Sequence, residues 1–441
     1  MSQAAYDYAQ DEGEGFSSPI ETLIPRIDIE AFCETSAMAT ALQDSAYDRR
    51  MTRTSVAVSM GGVKKAAETY ADAATPHLLI IETKETGLAI FDELEKLAEV
   101  CDPDTKVVVC GPSNDVTLYR ELKRQGVDEY VVAPAAPMQV IEAIAGVFAD
   151  PEDAPIARTI GFVAVKGGAG ASTLAHNCAS SISRSEEKEV ILVDLDMQFG
   201  TAGLDFNREP TRSVLDALGA IDELDDVKLQ RLLIEHDDYL SILAAPSSLE
   251  VSSEFDEAAV VEMIEVVRKS SDYAVFDIPH IWTPWVRSAI LQMDEIVLIS
   301  TPELAGLRNL KAMYDMIVAK RPNDAPPRIV INQVGMPKRP EIAEKDIVEI
   351  VGAPVELVIG YDAMLFGTAA NNGQMIDEID PKHAAVQGLE AINDFVLRRN
   401  GLRRRRPGSG SGKGSSALLE GLKGLFRKRG KKEAAPAPAA E

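Results

Sequence analysis

The chain has 441 residues and a formal net charge of −25 at pH 7, with 46% hydrophobic and 26% charged residues. This length predicts two or three domains, and the apolar fraction is sufficient for packed cores. None of the four cysteines lies in a Cys-x-x-Cys pair, which argues against a zinc ribbon or a disulfide scaffold. The acidic N-terminal segment is unlike a signal peptide, and no apolar run approaches the roughly 20 residues of a spanning helix.

The charge is distributed unevenly along the chain. Residues 398–433 contain 13 basic and 2 acidic residues, a net charge of +11, so residues 1–397 carry −35 once the final Glu441 is allowed for. An acidic body argues against nonspecific DNA binding, and we expect no specific nucleic-acid partner. The basic end instead predicts binding to an anionic surface.

The first predicted domain spans residues 26–149 and follows an acidic segment, residues 1–25, which we expect to be disordered or to dock a partner. Strand and helix patterns alternate through the domain, with helices predicted at Ala89–Val100 and Val116–Arg124. Five such units predict an α/β domain built on a doubly wound parallel sheet of flavodoxin type. The predicted strands are Ile27–Phe32, Ser55–Met60, Leu78–Ile81, Val107–Cys110 and Glu129–Val132.

The order and size of these elements resemble a response-regulator receiver domain, but the receiver chemistry is missing. Glu82 stands where the phosphoacceptor aspartate would end the third strand. Only one acid, Glu34, follows the first strand, and Ala133 replaces the lysine that would precede Pro134. We therefore predict a pseudo-receiver used for docking or dimerisation. A working phosphoswitch and an unrelated α/β domain are the alternatives.

The second predicted domain, residues 158–399, follows a polar, proline-bearing linker at 150–157. Its start combines an apolar strand, Ile160–Val165, with a glycine-rich turn and a helix from Ser172 to Ile182. Glycines let backbone N–H groups approach phosphate closely, and the helix N-terminus adds a positive dipole. This order of elements predicts a second doubly wound parallel sheet with a phosphate-binding loop; a glycine turn that binds nothing is the alternative.

The glycine turn matches the ordinary P-loop pattern only in part. Gly170 and Ser172 fit the end of that pattern, but Ala171 occupies the place of its lysine, and Lys166 precedes the glycines instead. The turn resembles the deviant Walker A loop of the ParA/MinD ATPases. That resemblance implies that Lys166 reaches the phosphates of a partner subunit's nucleotide, and the missing second lysine implies weak or slow hydrolysis. The predicted nucleotide-binding residues of the loop are Lys166, Gly167, Gly168, Ala169, Gly170, Ala171, Ser172 and Thr173.

Acidic residues follow two further predicted strands. Asp194 and Asp196 come after Glu189–Val193, and their spacing places both on one face of the strand. Asp277 ends the next strand, which begins at Tyr273, in a Walker B arrangement followed by Pro279. In the resembling family the first acid lies near the metal, the second positions the attacking water, and the third holds Mg²⁺.

The resemblance thus implies a metal site at Ser172, Asp194 and Asp277 and catalytic roles for Lys166 and Asp196. The alternative for the acid pair is a turn or a helix N-cap.

A third strand, Arg328–Ile331, runs into Asn332. In the resembling family an asparagine at this place reads the adenine base, a task that suits an amide; capping of a turn is the alternative. His280 is expected to be packed or at the surface rather than a base. Trp282 and Trp285 are expected either in the core or in a partner contact.

The C-terminal region comprises a basic, Gly/Ser-rich linker (400–415), a helical segment (416–432) and an alanine- and proline-rich tail (433–441). Large apolar residues at 418, 419, 422, 425 and 426 fall on one helical face, flanked by lysine and arginine. This amphipathic pattern is typical of an anchor that lies in the plane of a membrane. A helix that docks on a protein and an inert tail are the alternatives.

The domain order, the Lys166 loop and the Asp277-x-Pro279 pair together resemble the TadZ/CpaE pilus-assembly branch of the ParA/MinD ATPases. That resemblance implies ATP and Mg²⁺ as cofactors, a homodimer, and a role in placing the Flp (tight-adherence) type IV pilus machinery at a cell pole. It also implies pilus assembly proteins, a polar landmark and the inner face of the cytoplasmic membrane as partners. A scaffold that does not hydrolyse ATP, and a partition or septum-site ATPase, are the alternatives.

Overall fold

A computed structural model describes residues 23–87, 89–150, 155–247 and 256–397. The predicted acidic arm, residues 1–25, lies almost wholly outside this part of the chain, as does the middle of the predicted linker at 150–157. The basic linker (400–415), the amphipathic helix (416–432) and the tail (433–441) also lie outside the described residues. None of the described helices has both the length and the hydropathy needed to cross a bilayer.

The first sheet is parallel throughout and has the strand order β2-β1-β3-β4-β5, the flavodoxin-type order that the sequence predicts. Its strands are β1 (Ile27–Cys33), β2 (Thr54–Met60), β3 (Leu78–Glu82), β4 (Lys106–Gly111) and β5 (Glu129–Val132). The helices between and after them are α1 (Ser36–Ser45), α2 (Gly62–Tyr70), α3 (Ala89–Ala98), α4 (Val116–Arg124) and α5 (Pro137–Phe148).

The central strand β3 shows why this sheet forms. All five of its residues are buried, because helices cover both faces of the sheet. Leu78 and Ile80 pack into the core on one face, and Leu79 and Ile81 pack into the core on the other. The uninterrupted apolar run thus reflects burial on both sides.

The second sheet contains strands in the order β13-β12-β11-β6-β10-β7-β9-β8, parallel except at the β8–β9 edge. Its strands are β6 (Arg158–Ala164), β7 (Val190–Asp194), β8 (Ile234–Glu235), β9 (Leu240–Leu243), β10 (Tyr273–Ile278), β11 (Glu295–Ser300), β12 (Arg328–Val334) and β13 (Leu357–Gly360). Its longer helices are α6 (Ala171–Glu186), α7 (Glu257–Lys269), α8 (Pro284–Gln292), α9 (Leu304–Lys320), α10 (Glu344–Val351), α11 (Ala363–Asn372) and α12 (Ala384–Val396).

Strand β6 lies at the point where the direction of winding reverses. After β6 the chain crosses to β7 on one side, and after β10 it crosses to β11 on the other. Ligands of doubly wound sheets bind at such a switch point, at the carboxyl ends of the strands. The glycine turn directly follows β6, so the topology places it where a ligand would bind.

The two sheets belong to one compact unit and are joined by a buried ion cluster. Arg49, from the first sheet's domain, lies 2.8 Å from Asp294 and 3.1 Å from Asp324 of the second and donates to the carbonyl of Gln292. Asp294 also accepts from the backbone N–H of Thr159 at the start of β6. The contact therefore lies at the amino ends of the strands, opposite the glycine turn.

Candidate functional site

The glycine turn closes at Gly170, which precedes the first residue of α6, Ala171. Gly170 has a φ of +95°, a left-handed conformation that favours glycine, and an added Cβ would lie 2.5 Å from Nδ2 of Asn332. Ser172 and Thr173 follow in the first helical turn, where N–H groups lack helical partners. The turn therefore directs donors and a helix dipole at one point, as phosphate binding requires.

The end of β12 holds this turn from the side. The Asn332 amide donates to the carbonyl of Ala169 at 2.8 Å, and its oxygen accepts from the N–H of Gln333. Gln333 has a φ of +59° and donates from its side chain to the carbonyl of Gly168. Asn332 is buried, and both ends of its amide are engaged with the protein. A base-reading role for Asn332 stays a prediction, and it requires this amide to exchange partners.

Two of the predicted metal ligands face each other across neighbouring strands. Asp194 on β7 and Asp277 on β10 are register partners, and both carboxylates are buried. Asp194 accepts from the N–H groups of Asp196 and Ala202, whereas Oδ2 of Asp277 accepts no hydrogen bond from the described residues and has Nε2 of His176 as a neighbour at 3.5 Å. A buried carboxylate oxygen that accepts no hydrogen bond is costly, so this oxygen has capacity for a further cation.

A histidine that the sequence analysis did not single out completes this cluster. His176 on α6 is fully buried, one helical turn beyond Ser172. Its Nδ1 lies 2.7 Å from Oδ2 of Asp205, and its Nε2 lies 3.5 Å from Oδ2 of Asp277. Among the described residues, His176, Asp194 and Asp277 form the one group of three potential ligand side chains close enough to share a metal ion.

The charges of the cluster are strongly coupled. Burial raises the pKa of Asp194 to about 7, and repulsion from Asp277 adds to that effect. Burial alone would lower the pKa of His176, but the hydrogen bond to Asp205 and the nearby carboxylates of Asp277 and Asp194 outweigh it and raise this pKa to about 10. His176 is therefore protonated at neutral pH and partly offsets the two buried acids, and because an imidazolium has no lone pair for a metal, the two carboxylates are the candidate ligands of the cluster.

Asp196 lies at the turn after β7 rather than in the buried cluster. Its carboxylate accepts from the backbone N–H groups of Gln198 at 3.4 Å and Phe199 at 3.0 Å. The structure thus shows the turn contacts that the sequence left open as the alternative. A catalytic role for Asp196 stays a prediction.

Lys166 lies two residues after the end of β6, and its side chain extends towards α9. Its Nζ lies 2.8 Å from Oε2 of Glu303, the residue that precedes α9. Its side chain is 28% exposed, and the neighbouring Gly167 and Gly168 are exposed. Sequence reasoning did not assign a role to Glu303, because a contact between residues 137 positions apart leaves no local pattern.

The aromatic and histidine residues after Asp277 separate into two groups. Nδ1 of His280 donates to the carbonyl of Ala164 at 2.9 Å. Trp285 packs partly against the core, whereas Trp282 is 57% exposed. Trp285 therefore contributes to the core, and Trp282 lies outside it; a partner contact of Trp282 stays a prediction.

Comparison with known proteins finds relatives of two kinds, MinD-type proteins and pilus assembly proteins. An AAA domain family profile matches residues 157–325. Septum site-determining protein MinD of Synechocystis sp. is 22% identical over 253 residues, 55% of this chain and 90% of MinD. Pilus assembly protein CpaE of Caulobacter crescentus is 45% identical, with 29% of this chain and 98% of that chain covered and a TM-score of 0.29.

The chain belongs to the TadZ/CpaE family. CpaE2 of Sinorhizobium meliloti agrees, at 39% identity over 27% of this chain and 99% of that chain, with a TM-score of 0.27. The second domain has the P-loop fold of the ParA/MinD ATPases, as the sequence predicts.

The residues at the switch point fit a magnesium-bound nucleotide. The carboxylates of Asp194 and Asp277 and the hydroxyl of Ser172 are oxygen ligands of the kind that Mg²⁺ prefers, and Oδ2 of Asp277 accepts no hydrogen bond from the described residues. The turn supplies backbone donors for phosphate, without the second lysine that Ala171 replaces. The fit therefore depends on backbone and metal contacts more than on side-chain charge.

Proposed function

We propose that this protein is an ATP-binding, dimeric positioning factor for the Flp (tight-adherence) type IV pilus machinery at the cell pole, with weak or slow ATP hydrolysis. The observation that carries the proposal is the glycine turn at the switch point, directly beside the buried pair Asp194 and Asp277. The pilus role rests on the family, whose related chains bear the name of a pilus assembly protein.

In the proposed site, backbone N–H groups of residues 167–173 bind phosphate and orient it at the start of α6. Ser172, Asp194 and Asp277 would hold Mg²⁺, which would supply positive charge to phosphate oxygens. Lys166 adds a cation to the nucleotide of a second subunit. Asp196 positions water for the slow step. The nucleotide state thereby sets dimerisation.

Dimerisation would in turn set membrane attachment. Residues 416–432 would bind anionic lipid at the inner face of the cytoplasmic membrane, weakly as one copy and more tightly as two, because linked sites gain avidity. We propose a pilus assembly protein and a polar landmark as the other partners. Pelleting with anionic liposomes, with and without residues 416–432, tests the attachment.

The proposal is tested by light scattering of the full chain with Mg²⁺ and either ATP or ADP. ATP should produce a dimer and ADP a monomer. Lys166→Ala should remove the ATP-dependent dimer without unfolding the chain. Lys188→Ala, which breaks an exposed ion pair with Asp272, is the matched control and should dimerise normally. Equal dimer fractions with and without ATP in all three proteins would contradict the mechanism.

A scaffold that binds ATP without hydrolysing it is a second candidate, favoured by Ala171 at the place of the loop lysine. Such a scaffold would show saturable ATP binding and no phosphate release. A partition or septum-site ATPase is disfavoured by the −35 charge on residues 1–397, and a failure to bind DNA at low salt would remove it.

A further inference from the structure

Two contacts connect Lys166 and the preceding Val165 to α9 and its N-cap residue within the same subunit. The ammonium of Lys166 pairs with Glu303, and the carbonyl of Val165 accepts from the side chain of Asn309 at 2.9 Å. Glu303 occupies the N-cap position of α9, where the helix dipole favours a carboxylate. Lys166 is therefore paired with a carboxylate, that of Glu303, which the dipole of α9 also stabilises.

Glu303 has a second cationic partner, which makes its pair with Lys166 exchangeable. Arg339 lies 3.2 Å from the other carboxylate oxygen of Glu303 and also pairs with Glu341 at 2.9 Å. Arg339 also donates to the carbonyl of Gln333, which follows Asn332 beside the glycine turn. When Lys166 departs, Glu303 keeps the charge of Arg339, so the separation leaves no unpaired acid.

We propose that Glu303 is a positioning residue that restrains Lys166 within its own subunit, so that Lys166 must exchange this carboxylate for phosphate before it can serve a partner's nucleotide. The inference rests on the proposed function and adds its regulation. Phosphate, with more negative charge than a carboxylate, is the stronger competitor for the ammonium. Nucleotide therefore opens the restraint, and in its absence the restraint opposes dimerisation.

The ion pair between Lys166 and Glu303 is weak enough to be exchanged. The two side chains are 28% and 31% exposed, and an ion pair of that exposure contributes a factor of about 1.4 to 5. Each dimer breaks two pairs, so we expect the restraint to shift dimerisation by about 2- to 30-fold. The hydrogen bond from Lys166 lowers the pKa of Glu303, which keeps the acid charged at neutral pH.

The first test measures the restraint without any dimer. The full chain is pulse-labelled with an amine-acylating reagent in the absence of nucleotide, and modification of Lys166 is quantified by mass spectrometry. Glu303→Gln should increase the labelling rate of Lys166 about 2- to 5-fold. Glu341→Gln, which removes an acid that contacts Arg339 but not Lys166, is the matched control and should change the rate little. Equal rates in the unaltered chain and in Glu303→Gln would overturn the inference.

The second test measures the consequence. With ATP and Mg²⁺, Glu303→Gln should lower the protein concentration at half dimerisation by about 2- to 30-fold, and Glu341→Gln should leave it unchanged. Glu303→Asp keeps the charge but shortens the side chain, so it should give an intermediate value, and it replaces Glu303→Gln if that variant fails to fold. An unchanged or higher midpoint in both Glu303 variants would overturn the inference. If the unaltered chain does not dimerise with ATP, the proposed function fails, and the labelling rates alone decide whether Glu303 restrains Lys166.

Discussion

The two sheets carry an acidic residue at the same kind of place, the carboxyl end of a central strand, and use it in opposite ways. Glu82 ends β3 of the first sheet, and its carboxylate accepts from the N–H groups of Glu34 and Thr35 and from the Thr35 hydroxyl, all within 2.8 Å. Oδ2 of Asp277, near the end of β10, accepts no hydrogen bond from the described residues and has only Nε2 of His176, 3.5 Å away, as an ion-pair neighbour. One acid is saturated by its own domain, and the other is available for a ligand.

The difference shows how a shared topology separates structural from chemical roles. The longer glutamate reaches back to the β1–α1 turn and ties it to β3, so nothing remains at Glu82 for phosphoryl chemistry. The shorter aspartates of the second sheet end beside the turn for which we propose phosphate binding. The predicted pseudo-receiver role of the first domain agrees with this contrast, and its use in docking or dimerisation stays a proposal.

The largest expected effect is the loss of Mg²⁺-dependent ATP binding when Asp277 is changed. Asp277→Asn should weaken the Mg²⁺-dependent part of ATP binding by more than about 100-fold, since changes to residues that only support a metal ligand already cost 10- to 100-fold. Calorimetric titration with ATP, with and without Mg²⁺, measures the change. An Asp277→Asn variant that keeps the Mg²⁺ enhancement would show that this acid is as closed as Glu82.

Glu82, whose carboxylate is fully hydrogen-bonded, should affect stability rather than nucleotide binding. Glu82→Gln replaces an acceptor by an amide that faces two backbone donors, and we expect the free energy of unfolding to fall by about 2–4 kcal/mol. Nucleotide affinity should not change. Urea denaturation and the same titration provide the two readouts, and a variant of normal stability would contradict the saturated geometry.

Two glycines of the glycine turn test whether β12 supports the nucleotide site of the second sheet. Gly168 and Gly170 have φ values of +75° and +95°, so alanine at either position should cost about 1–2 kcal/mol of backbone strain. Only at Gly170 would the new Cβ approach Asn332, whereas Gly168 has nothing within 4 Å. Gly170→Ala should therefore reduce nucleotide affinity more than Gly168→Ala. Equal affinities of the two variants would remove the claim that β12 holds the turn.

The last prediction concerns the pH dependence of stability, whose change within any one pH unit is small. Because the folded-state pKa of His176 is raised to about 10 from an ordinary value near 6.5, its stabilising contribution is complete below pH 6.5 and is lost as pH rises towards 10. The stability difference between the unaltered chain and His176→Gln should shrink by up to about 1.4 kcal/mol per pH unit in that window. Buried cysteines titrate in both proteins and cancel in the difference, whereas Asp194, whose pKa of about 7 is lowered by His176, contributes to the difference at the acidic end of the window. A difference that is constant from pH 6.5 to 9 would show that His176 is neutral.

Much of the fold and part of the candidate site could be predicted from the sequence. The helix Val116–Arg124 and the strand Glu129–Val132 have the predicted ends, because their apolar periodicity and flanking turns are local signals. The pairing of Asp194 with Asp277 could be anticipated, since parallel strands bring their carboxyl ends to one edge.

The rest depends on contacts that no local pattern encodes. His176 belongs to the site because the phase of α6 turns it towards β10, about 100 residues further along the chain. The contact of Glu303 with Lys166 depends on where α9 begins relative to β6, and the engagement of Asn332 with Ala169 depends on the length of β12. In each case the side chain was visible in the sequence, but its partner was fixed by sheet register and helix packing.

The central claim is that the turn at residues 166–173 binds a nucleotide although Ala171 stands in place of a lysine. Calorimetric titration of the full chain with ATP in the presence of Mg²⁺ tests it most directly. We expect saturable binding of one nucleotide per chain, weakened when Mg²⁺ is chelated. The absence of any binding at millimolar ATP with Mg²⁺ present would contradict the account and leave an adaptor that has kept only the fold.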